Sequence, residues 1–292
     1  MSEVKWSEQA VIFNCEGCRL VGIATIPFEA SETGVVIVVG GPQYRSGSHR
    51  QFTLLARQLA EQNIPAFRFD YRGMGDSEGE MRNFEHIEKD LLAAIDTFVG
   101  SVPTVKRVIL WGLCDAASAA LYYGQTDSRV SGLILLNPWV HSESGAARTR
   151  LKHYYLTRLF QKSFWSKLLQ GKVAVGASLG GLAKSARLAS GTADKDSPPD
   201  APVDPRHGSA GYIERMLNGL KRYQGNVLFI LSEKDLTAQE FVSLTKRDRS
   251  WSKACNKPQV STLTLPGANH TFSTQKWRNQ VGDWSGSWIK SH

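Results

Sequence analysis

The fold is decided by the stretch Val108-Ile109-Leu110-Trp111-Gly112-Leu113-Cys114-Asp115-Ala116-Ala117-Ser118-Ala119-Ala120-Leu121. Here an apolar, β-branched run meets a glycine and then a cysteine, and small helix-forming residues follow at once. That order is typical of a nucleophile elbow, a strand–turn–helix unit whose turn residue is strained and exposed. The usual pattern is G-x-S-x-G, whereas this chain reads G-x-C-x-A, so Cys114 is the candidate nucleophile or the remnant of one.

On both sides of this stretch, apolar strand-like runs alternate with segments of helical spacing. The run 35–39 is continuous and β-branched, as expected of a buried central strand. Strands that alternate with helices predict an α/β fold with a mostly parallel central sheet and helices on both faces. The other predicted strands are 11–13, 20–26, 65–70, 108–111, 132–136, 227–231 and 260–265, and the predicted helices are 50–62, 84–99 and 277–289.

This alternation is interrupted between residues 138 and 222, a span too long for a loop of a compact domain. Nine Lys or Arg and one Glu lie between residues 141 and 190, and this surplus of eight equals the net charge of +8 of the whole chain. Aromatic residues and leucines accompany the bases of residues 148–169. We therefore predict an α/β core of residues 1–137 and 223–292, with residues 138–222 inserted as a basic, partly helical cap or lid.

Three residues follow in the order nucleophile, acid, histidine that such folds use for covalent acyl transfer. Cys114 lies on the elbow, Asp235 just beyond the strand 227–231, and His270 just beyond the strand 260–265. Sheets of this kind place their sites at the carboxyl ends of the strands. We therefore predict Cys114 as the nucleophile, His270 as its base and Asp235 as the acid that orients the imidazole.

The sequence leaves an alternative open at two of these positions. Cys114 also fits a small buried residue in a hydrolase fold that has lost its activity. Asp235 also fits a loop or helix-capping residue, with Glu233 as the acid in its place. A thiolate beside His270 and a helix N-terminus is expected to have a lowered pKa, although a carboxylate of Asp115 facing the sulfur would oppose that shift.

Two backbone N–H groups are expected to stabilise an oxyanion. One is that of Asp115, the residue after the nucleophile. The other comes from the loop after the strand 35–39, at Gln43 or Gly41, because Pro42 has no N–H to donate. The candidate substrate-binding residues lie in the same loop and are Tyr44, Arg45 and His49.

Three stretches carry a resemblance to a known superfamily: Gly40-Gly41-Pro42-Gln43-Tyr44-Arg45-Ser46-Gly47-Ser48-His49-Arg50, Phe67-Arg68-Phe69-Asp70-Tyr71-Arg72-Gly73-Met74-Gly75-Asp76-Ser77-Glu78-Gly79 and Trp111-Gly112-Leu113-Cys114-Asp115-Ala116-Ala117-Ser118. The chain resembles the α/β-hydrolase superfamily and, more narrowly, the hydrolases associated with the exosortase A system of exopolysaccharide-producing bacteria. The resemblance covers roughly residues 10–140 and 225–290 and implies an α/β-hydrolase fold. It also implies a cysteine at the elbow, and it supplies a gene context but no substrate.

Together these features predict an esterase- or thioesterase-like acyl hydrolase or acyltransferase with a Cys-His-Asp triad. The resemblance implies that it serves exopolysaccharide or exosortase-linked biosynthesis. A cytoplasmic setting is expected, because the four cysteines are scattered and no apolar run reaches the ~20 residues of a membrane span. No metal or organic cofactor is expected. Cys15 and Cys18 have metal-ligand spacing, but the sequence offers no second pair.

The basic cap favours an anionic partner, such as an acyl carrier protein, a coenzyme A thioester or an acidic saccharide. Peripheral contact with a membrane through the aromatic residues of the cap is a further possibility, and so is packing of those residues on the core. No nucleic-acid partner is expected, because no nucleic-acid-binding motif accompanies the bases. The alternative function is that of a catalytically inactive binding or scaffold protein that recruits anionic partners through the cap.

Overall fold

A computed structural model describes residues 5–41, 43–140 and 211–292. Its strands are β1 (Trp6–Cys15), β2 (Cys18–Pro27), β3 (Thr33–Val38), β4 (Ala66–Phe69), β5 (Arg107–Leu113), β6 (Val130–Leu136), β7 (Asn226–Ser232) and β8 (Val260–Leu265). Within the described residues they form one sheet of order β1-β2-β4-β3-β5-β6-β7-β8. Strands β3 to β8 are parallel, and β1 and β2 form an antiparallel hairpin that joins the sheet at β4. The predicted α/β class is therefore confirmed.

The central strands are buried on both faces of the sheet. In β3, Val36 and Val38 belong to one hydrophobic cluster, whereas Val35 and Ile37 belong to the cluster on the opposite face. Successive side chains of a strand point to opposite faces, so two covered faces require an uninterrupted apolar run. This is the physical origin of the continuous run that the sequence shows at residues 35–39.

Helices cover both faces. They are α1 (Gln51–Ala60), α2 (Glu88–Ser101), α3 (Asp115–Tyr123), α4 (Tyr212–Arg222), α5 (Leu236–Arg247), α6 (Arg249–Cys255) and α7 (Gln275–Ser291). Side chains of α1 and α7 contribute to one hydrophobic cluster, and those of α2 to α6 contribute to the other. The helices α5 and α6 are not among those predicted from the spacing. Their sequence signals are Asp235 and Asp248, whose side chains accept hydrogen bonds from the first N–H groups of α5 and α6.

The helix α4 lies at residues that the sequence assigned to the end of the cap. It packs on α3 and buries Met216 and Leu220 in the same cluster as the core helices. Contact is close because a Cβ at Gly219 would lie 1.8 Å from the carbonyl oxygen of Leu121. The helix α4, which the sequence assigned to the cap, is thus packed on the core, and residues 141–210 of the predicted cap lie outside the described residues. The boundaries of the cap stay a prediction.

The parallel strands bring the loops that follow β3 to β8 to one edge of the sheet. The elbow, the predicted acid and the predicted histidine all lie in these loops. Among the described helices, none has the length and apolar content needed to cross a membrane.

Candidate active site

Cys114 lies at the turn between β5 and α3 with a strained backbone, φ 65° and ψ −123°. Non-glycine residues rarely adopt a positive φ, and such strain persists only where the surroundings enforce it. The turn is tight because a Cβ at Gly112 would lie 2.7 Å from the backbone of Ala116. The glycine and the small residue of the G-x-C-x-A pattern therefore let strand and helix cross at the cysteine.

Hydrogen bonds to the end of β6 and the segment beyond it fix the elbow. The N–H of Cys114 donates to the carbonyl of Leu136 at 2.9 Å, and the Cys114 carbonyl accepts from the N–H of Trp139 at 3.2 Å. The hydroxyl of Ser118 donates to the carbonyl of Trp139 at 2.8 Å. Hydrogen bonds at both the N–H and the carbonyl of Cys114 thus hold its strained conformation.

The side chains of His270 and Asp235 are in direct contact. The imidazole Nδ1 lies 2.9 Å from Oδ2 of Asp235, and the imidazole remains about one third exposed. The same carboxylate oxygen accepts a hydrogen bond from the N–H of Ala238 in α5. Asp235 is therefore both a helix cap and the partner of the histidine, so the two roles considered for it are compatible.

Glu233 does not take the place of Asp235. Its carboxylate is exposed and accepts a hydrogen bond from the N–H of Gly267 at 2.7 Å. This contact fastens the start of the turn that leads to His270.

A buried asparagine, which the sequence did not single out, holds the histidine loop. Asn137 follows β6 with a positive φ of 44° and is fully buried. Its Nδ2 donates to the hydroxyl of Ser232 at 2.9 Å and to the carbonyl of His270 at 3.0 Å, and its Oδ1 accepts from the N–H of Ser232 at 2.8 Å. The only sequence signal is a polar residue directly after an apolar strand.

Two of the predicted oxyanion-hole residues, Gly41 and Asp115, are in contact, because the side chain of Asp115 accepts a hydrogen bond from the backbone of Gly41. Oδ2 of Asp115 accepts a hydrogen bond from the N–H of Gly41 at 2.8 Å, and Oδ1 accepts from the N–H of Ala116 at 2.9 Å. The N–H of Asp115 itself lies near both the sulfur of Cys114 and its own carboxylate and favours the charged form of each. The third predicted residue, Gln43, accepts a hydrogen bond from the N–H of Ser48 through its side-chain oxygen.

The environment of Cys114 stabilises the neutral thiol. Burial is the main cause and raises the pKa of the thiol far above its usual range; the charges of Asp115 and Asp235 raise it further, and the N–H of Asp115 lowers it. The expectation of a lowered pKa is therefore wrong, because burial disfavours the thiolate and the charges of Asp115 and Asp235 add to that effect. The opposing effect considered for Asp115 is confirmed.

The candidate substrate-binding residues differ in their surroundings. The guanidinium of Arg45 forms ion pairs with Asp70 and Asp76, so its charge is already matched within the protein. Tyr44 and His49 are exposed, and His49 has a positive φ of 52°. Their role as substrate-binding residues stays a prediction.

The turn Asp70-Tyr71-Arg72-Gly73 links neighbouring loops through charged hydrogen bonds. Buried Asp70 accepts hydrogen bonds from the N–H groups of Arg45 at 2.5 Å and Asp76 at 3.1 Å, which joins the loops after β3 and β4. Arg72 forms a two-pronged ion pair with Asp90, each of its two bonds 2.9 Å long. Between these residues lies Tyr71; burial raises the pKa of its phenol, and the charges of Asp115 and Asp90 raise it further.

The cysteines Cys15 and Cys18 face each other across the hairpin of β1 and β2 as free thiols. Among the described residues, no group of three or more His, Cys, Asp or Glu side chains is arranged to hold a metal ion.

The parallel sheet with its antiparallel hairpin, the elbow after β5, and the carboxylate and histidine after β7 and β8 define an α/β hydrolase. The profile of the family described as "Serine aminopeptidase, S33" matches residues 30–271, and the chain belongs to this family. The family description names a serine enzyme, whereas the elbow of this chain carries Cys114.

Solved structures with the same fold include esterases. An esterase from Pyrococcus furiosus is 14% identical and superposes with a TM-score of 0.64 over 98% of this chain and 91% of that chain. Est1E from Butyrivibrio proteoclasticus, solved with ferulic acid bound, is 16% identical, with a TM-score of 0.63 over 97% of this chain and 98% of that chain. At these identities the likeness shows the fold alone.

A curated relative is the polyketide transferase grgF of Penicillium sp, 28% identical over 130 residues. The aligned part is 41% of this chain and spans only 42% of the relative's length. The crystal structure of the α/β hydrolase GrgF from Penicillium sp. sh18 is 20% identical, with a TM-score of 0.56 over 98% of this chain and 96% of that chain.

Proposed function

We propose that this α/β hydrolase is an esterase- or thioesterase-like acyl hydrolase or acyltransferase with Cys114 as its nucleophile. The observation that carries the proposal is a strained cysteine on the elbow together with a hydrogen-bonded pair of Asp235 and His270 at the ends of two further strands of the same parallel sheet. A nucleophile, a base and an orienting acid are the groups that covalent acyl transfer requires.

In the proposed reaction, His270 removes the proton of the Cys114 thiol while the sulfur attacks the acyl carbonyl. The carbon–sulfur bond forms, the tetrahedral intermediate collapses, and the leaving alcohol or thiol takes the proton from the imidazolium. Water or an acceptor hydroxyl then attacks the acyl-cysteine with His270 as base, which releases the acyl group and restores the thiol. Because the resting thiol is neutral, proton removal and attack belong to one step, as in general base catalysis.

The groups of Cys114, His270 and Asp235 can support transfer of the acyl group to an acceptor as well as its hydrolysis. One relative is a polyketide transferase by name, which supports a transfer reaction for this chain as well. The resemblance to exosortase-associated hydrolases leads us to propose a role in exopolysaccharide or exosortase-linked biosynthesis, with a sugar hydroxyl as the acceptor.

We also propose an anionic acyl donor, an acyl carrier protein or coenzyme A thioester, or an acidic saccharide, drawn to the basic residues between 141 and 190. The setting proposed for the reaction is the cytoplasm, where thiols such as the four free cysteines stay reduced. Peripheral membrane contact through the same segment is a further proposal, and neither it nor the anionic donor is needed for the acyl chemistry itself.

The test is turnover of a panel of p-nitrophenyl esters and acyl thioesters by the wild type and by Cys114→Ala, with mass spectrometry of the intact protein after brief exposure to substrate. We expect an acyl adduct on the wild type and none on Cys114→Ala, together with loss of turnover to the uncatalysed background. Equal activity of the two proteins would remove Cys114 as the nucleophile. Adding a sugar acceptor separates transfer from hydrolysis by the product formed.

A second candidate function, that of an inactive scaffold, is favoured by two observations. The thiol of Cys114 is strongly stabilised in its neutral form, and the N–H of Gly41 is already engaged by a carboxylate. A scaffold of this kind would give neither turnover nor an adduct with any member of the panel. Its alkylation by iodoacetamide would also be independent of His270, whereas a catalytic Cys114 should alkylate more slowly in His270→Ala.

A further inference from the structure

The side chain of Asp115 occupies the place where the second oxyanion donor is expected. Its Oδ2 accepts from the N–H of Gly41 at 2.8 Å, and its Oδ1 accepts from the N–H of Ala116 at 2.9 Å. The fit is close, because a Cβ at Gly40 would lie only 2.2 Å from Oδ1 of Asp115. The glycine pair after β3 therefore accommodates this carboxyl group.

The titratable groups around this carboxyl come from several elements. Cys114 precedes it on the elbow, His270 lies in the loop after β8, and Tyr71 lies in the loop after β4; each interacts electrostatically with Asp115. Asp235, after β7, acts on the same thiol. The loop after β3 contributes backbone at Gly40 and Gly41.

This position creates a conflict of charge. An acyl group on Cys114 would direct its carbonyl oxygen toward the N–H of Asp115 and the N–H of Gly41. A negative charge develops on that oxygen in the transition state, so an ionised carboxylate in the same place would repel it, whereas a hydrogen-bond donor would stabilise it. A neutral carboxylic acid is such a donor, and its carbonyl oxygen can still accept the N–H of Gly41.

We propose that Asp115 acts as a neutral carboxylic acid in the oxyanion hole and donates a hydrogen bond to the acyl oxygen. This inference rests on the acyl chemistry proposed above. The acid takes the place of the free N–H of Gly41, and no proton needs to leave it during the reaction. Carboxylic acids that a poorly solvated site keeps neutral are known to stabilise oxyanions in this way.

The electrostatics of the site support a neutral acid. Burial raises the pKa of Asp115 to about 6, against the lowering effects of the N–H groups of Gly41, Ala116 and Asp115 itself and of the nearby His270. A proton is therefore held over a pH range in which an ordinary aspartate has lost it.

The test compares the pH profile of kcat/KM for an acyl thioester in the wild type, Asp115→Asn and Asp115→Ala. Asparagine keeps an acceptor for the N–H of Gly41 and an N–H donor at every pH but loses the acceptor for the N–H of Ala116, whereas alanine removes the donor and frees the N–H of Gly41. We expect an alkaline decrease in the wild type with a midpoint near pH 6 and its absence in Asp115→Asn. Asp115→Ala should lose up to about 10²-fold relative to Asp115→Asn, and less to the extent that the freed N–H of Gly41 replaces the lost donor.

Either of two results overturns the proposal. If Asp115→Ala is as active as Asp115→Asn or more so, the carboxyl merely obstructs Gly41 and donates nothing. If the alkaline decrease persists unchanged in Asp115→Asn, another group controls it. Far-ultraviolet circular dichroism of the three proteins establishes that each variant is folded before the rates are compared.

A second measurement does not require turnover and separates this proposal from the proposed function. The infrared difference between the wild type and Asp115→Asn should show a protonated carboxyl band that disappears near pH 6. A band that disappears near pH 4, as for an ordinary aspartate, overturns the neutral acid even if Cys114 is an active nucleophile. Lack of any Cys114-dependent turnover, with the band still present above pH 5, would instead remove the acyl chemistry and with it the donor role.

Discussion

The histidine side and the cysteine side of the candidate site are built on opposite electrostatic principles. On the histidine side, Asp235 lies against His270 and a helix N–H, so its negative charge is matched by donors. On the cysteine side, two acidic groups, Cys114 and Asp115, are adjacent and each favours its neutral form. The order of residues along the chain predicts where both sides lie. The protonation state of each side in the resting protein depends instead on its burial and on the charges next to it.

We expect the largest loss of activity when the negative charge of Asp235 beside His270 is removed. We expect Asp235→Asn to lower kcat/KM by about 10²-fold or more, because an amide neither fixes the tautomer of His270 nor stabilises the imidazolium. Asparagine is a good helix N-cap, so α5 and the thermal stability should be retained. Steady-state kinetics together with a thermal melt separates these two effects.

Glu233→Gln is the matched control. The amide oxygen can still accept the N–H of Gly267, and the carboxylate has no contact with the imidazole, so kcat/KM should stay close to that of the wild type. A larger loss in Glu233→Gln than in Asp235→Asn would reverse the assignment of the acid.

The same contrast shows what the sequence can predict. The elbow and the two strand ends are local patterns: apolar runs, a glycine and small residues within a few positions of Cys114, Asp235 and His270. Periodicity and strand-end placement are enough to bring these three residues to one edge of a parallel sheet. The fold class and the positions of the site residues follow from such patterns.

The interactions that fix protonation and loop geometry do not follow from them. Asn137 contacts Ser232, 95 positions away, and the carbonyl of His270, 133 positions away. Gly41 donates to a carboxylate 74 positions further along the chain. No periodic pattern encodes such pairs, so the raised pKa of Cys114 and the hydrogen bonds of Asp115 become visible only once the chain is folded.

A smaller effect, on stability, tests the charge arrangement of the cysteine side. The pKa of Asp115 rises from 3.8 to about 6 on folding. The folded protein then binds more protons than the unfolded chain between these values, so this residue's contribution to the free energy of unfolding falls as pH increases from about 4 to about 6. The loss should be up to about 3 kcal/mol for a shift of this size.

Urea unfolding of the wild type and of Asp115→Asn between pH 4 and 7 measures this contribution. Carboxylates in ion pairs, such as Glu8 with Arg57 and Arg68, have lowered pKa values and give slopes of the opposite sign. They are common to both proteins and cancel in the difference. We expect the wild type to lose stability relative to Asp115→Asn as pH rises, and a difference independent of pH would mean that Asp115 is not stabilised in its neutral form.

The smallest effect concerns the backbone that presents the nucleophile. A Cβ at Gly112 would lie 2.7 Å from backbone atoms of Ala116, which cannot move without displacing α3. Gly112→Ala should therefore lower the free energy of unfolding by about 1–3 kcal/mol. Gly100→Ala is the control: this exposed glycine lies in α2 with no heavy atom near its Cβ position, so alanine should leave stability unchanged or raise it by up to about 1 kcal/mol. Equal melting temperatures for the two variants would show that the strand–helix crossing tolerates a methyl group, and the strain at Cys114 would then need another origin.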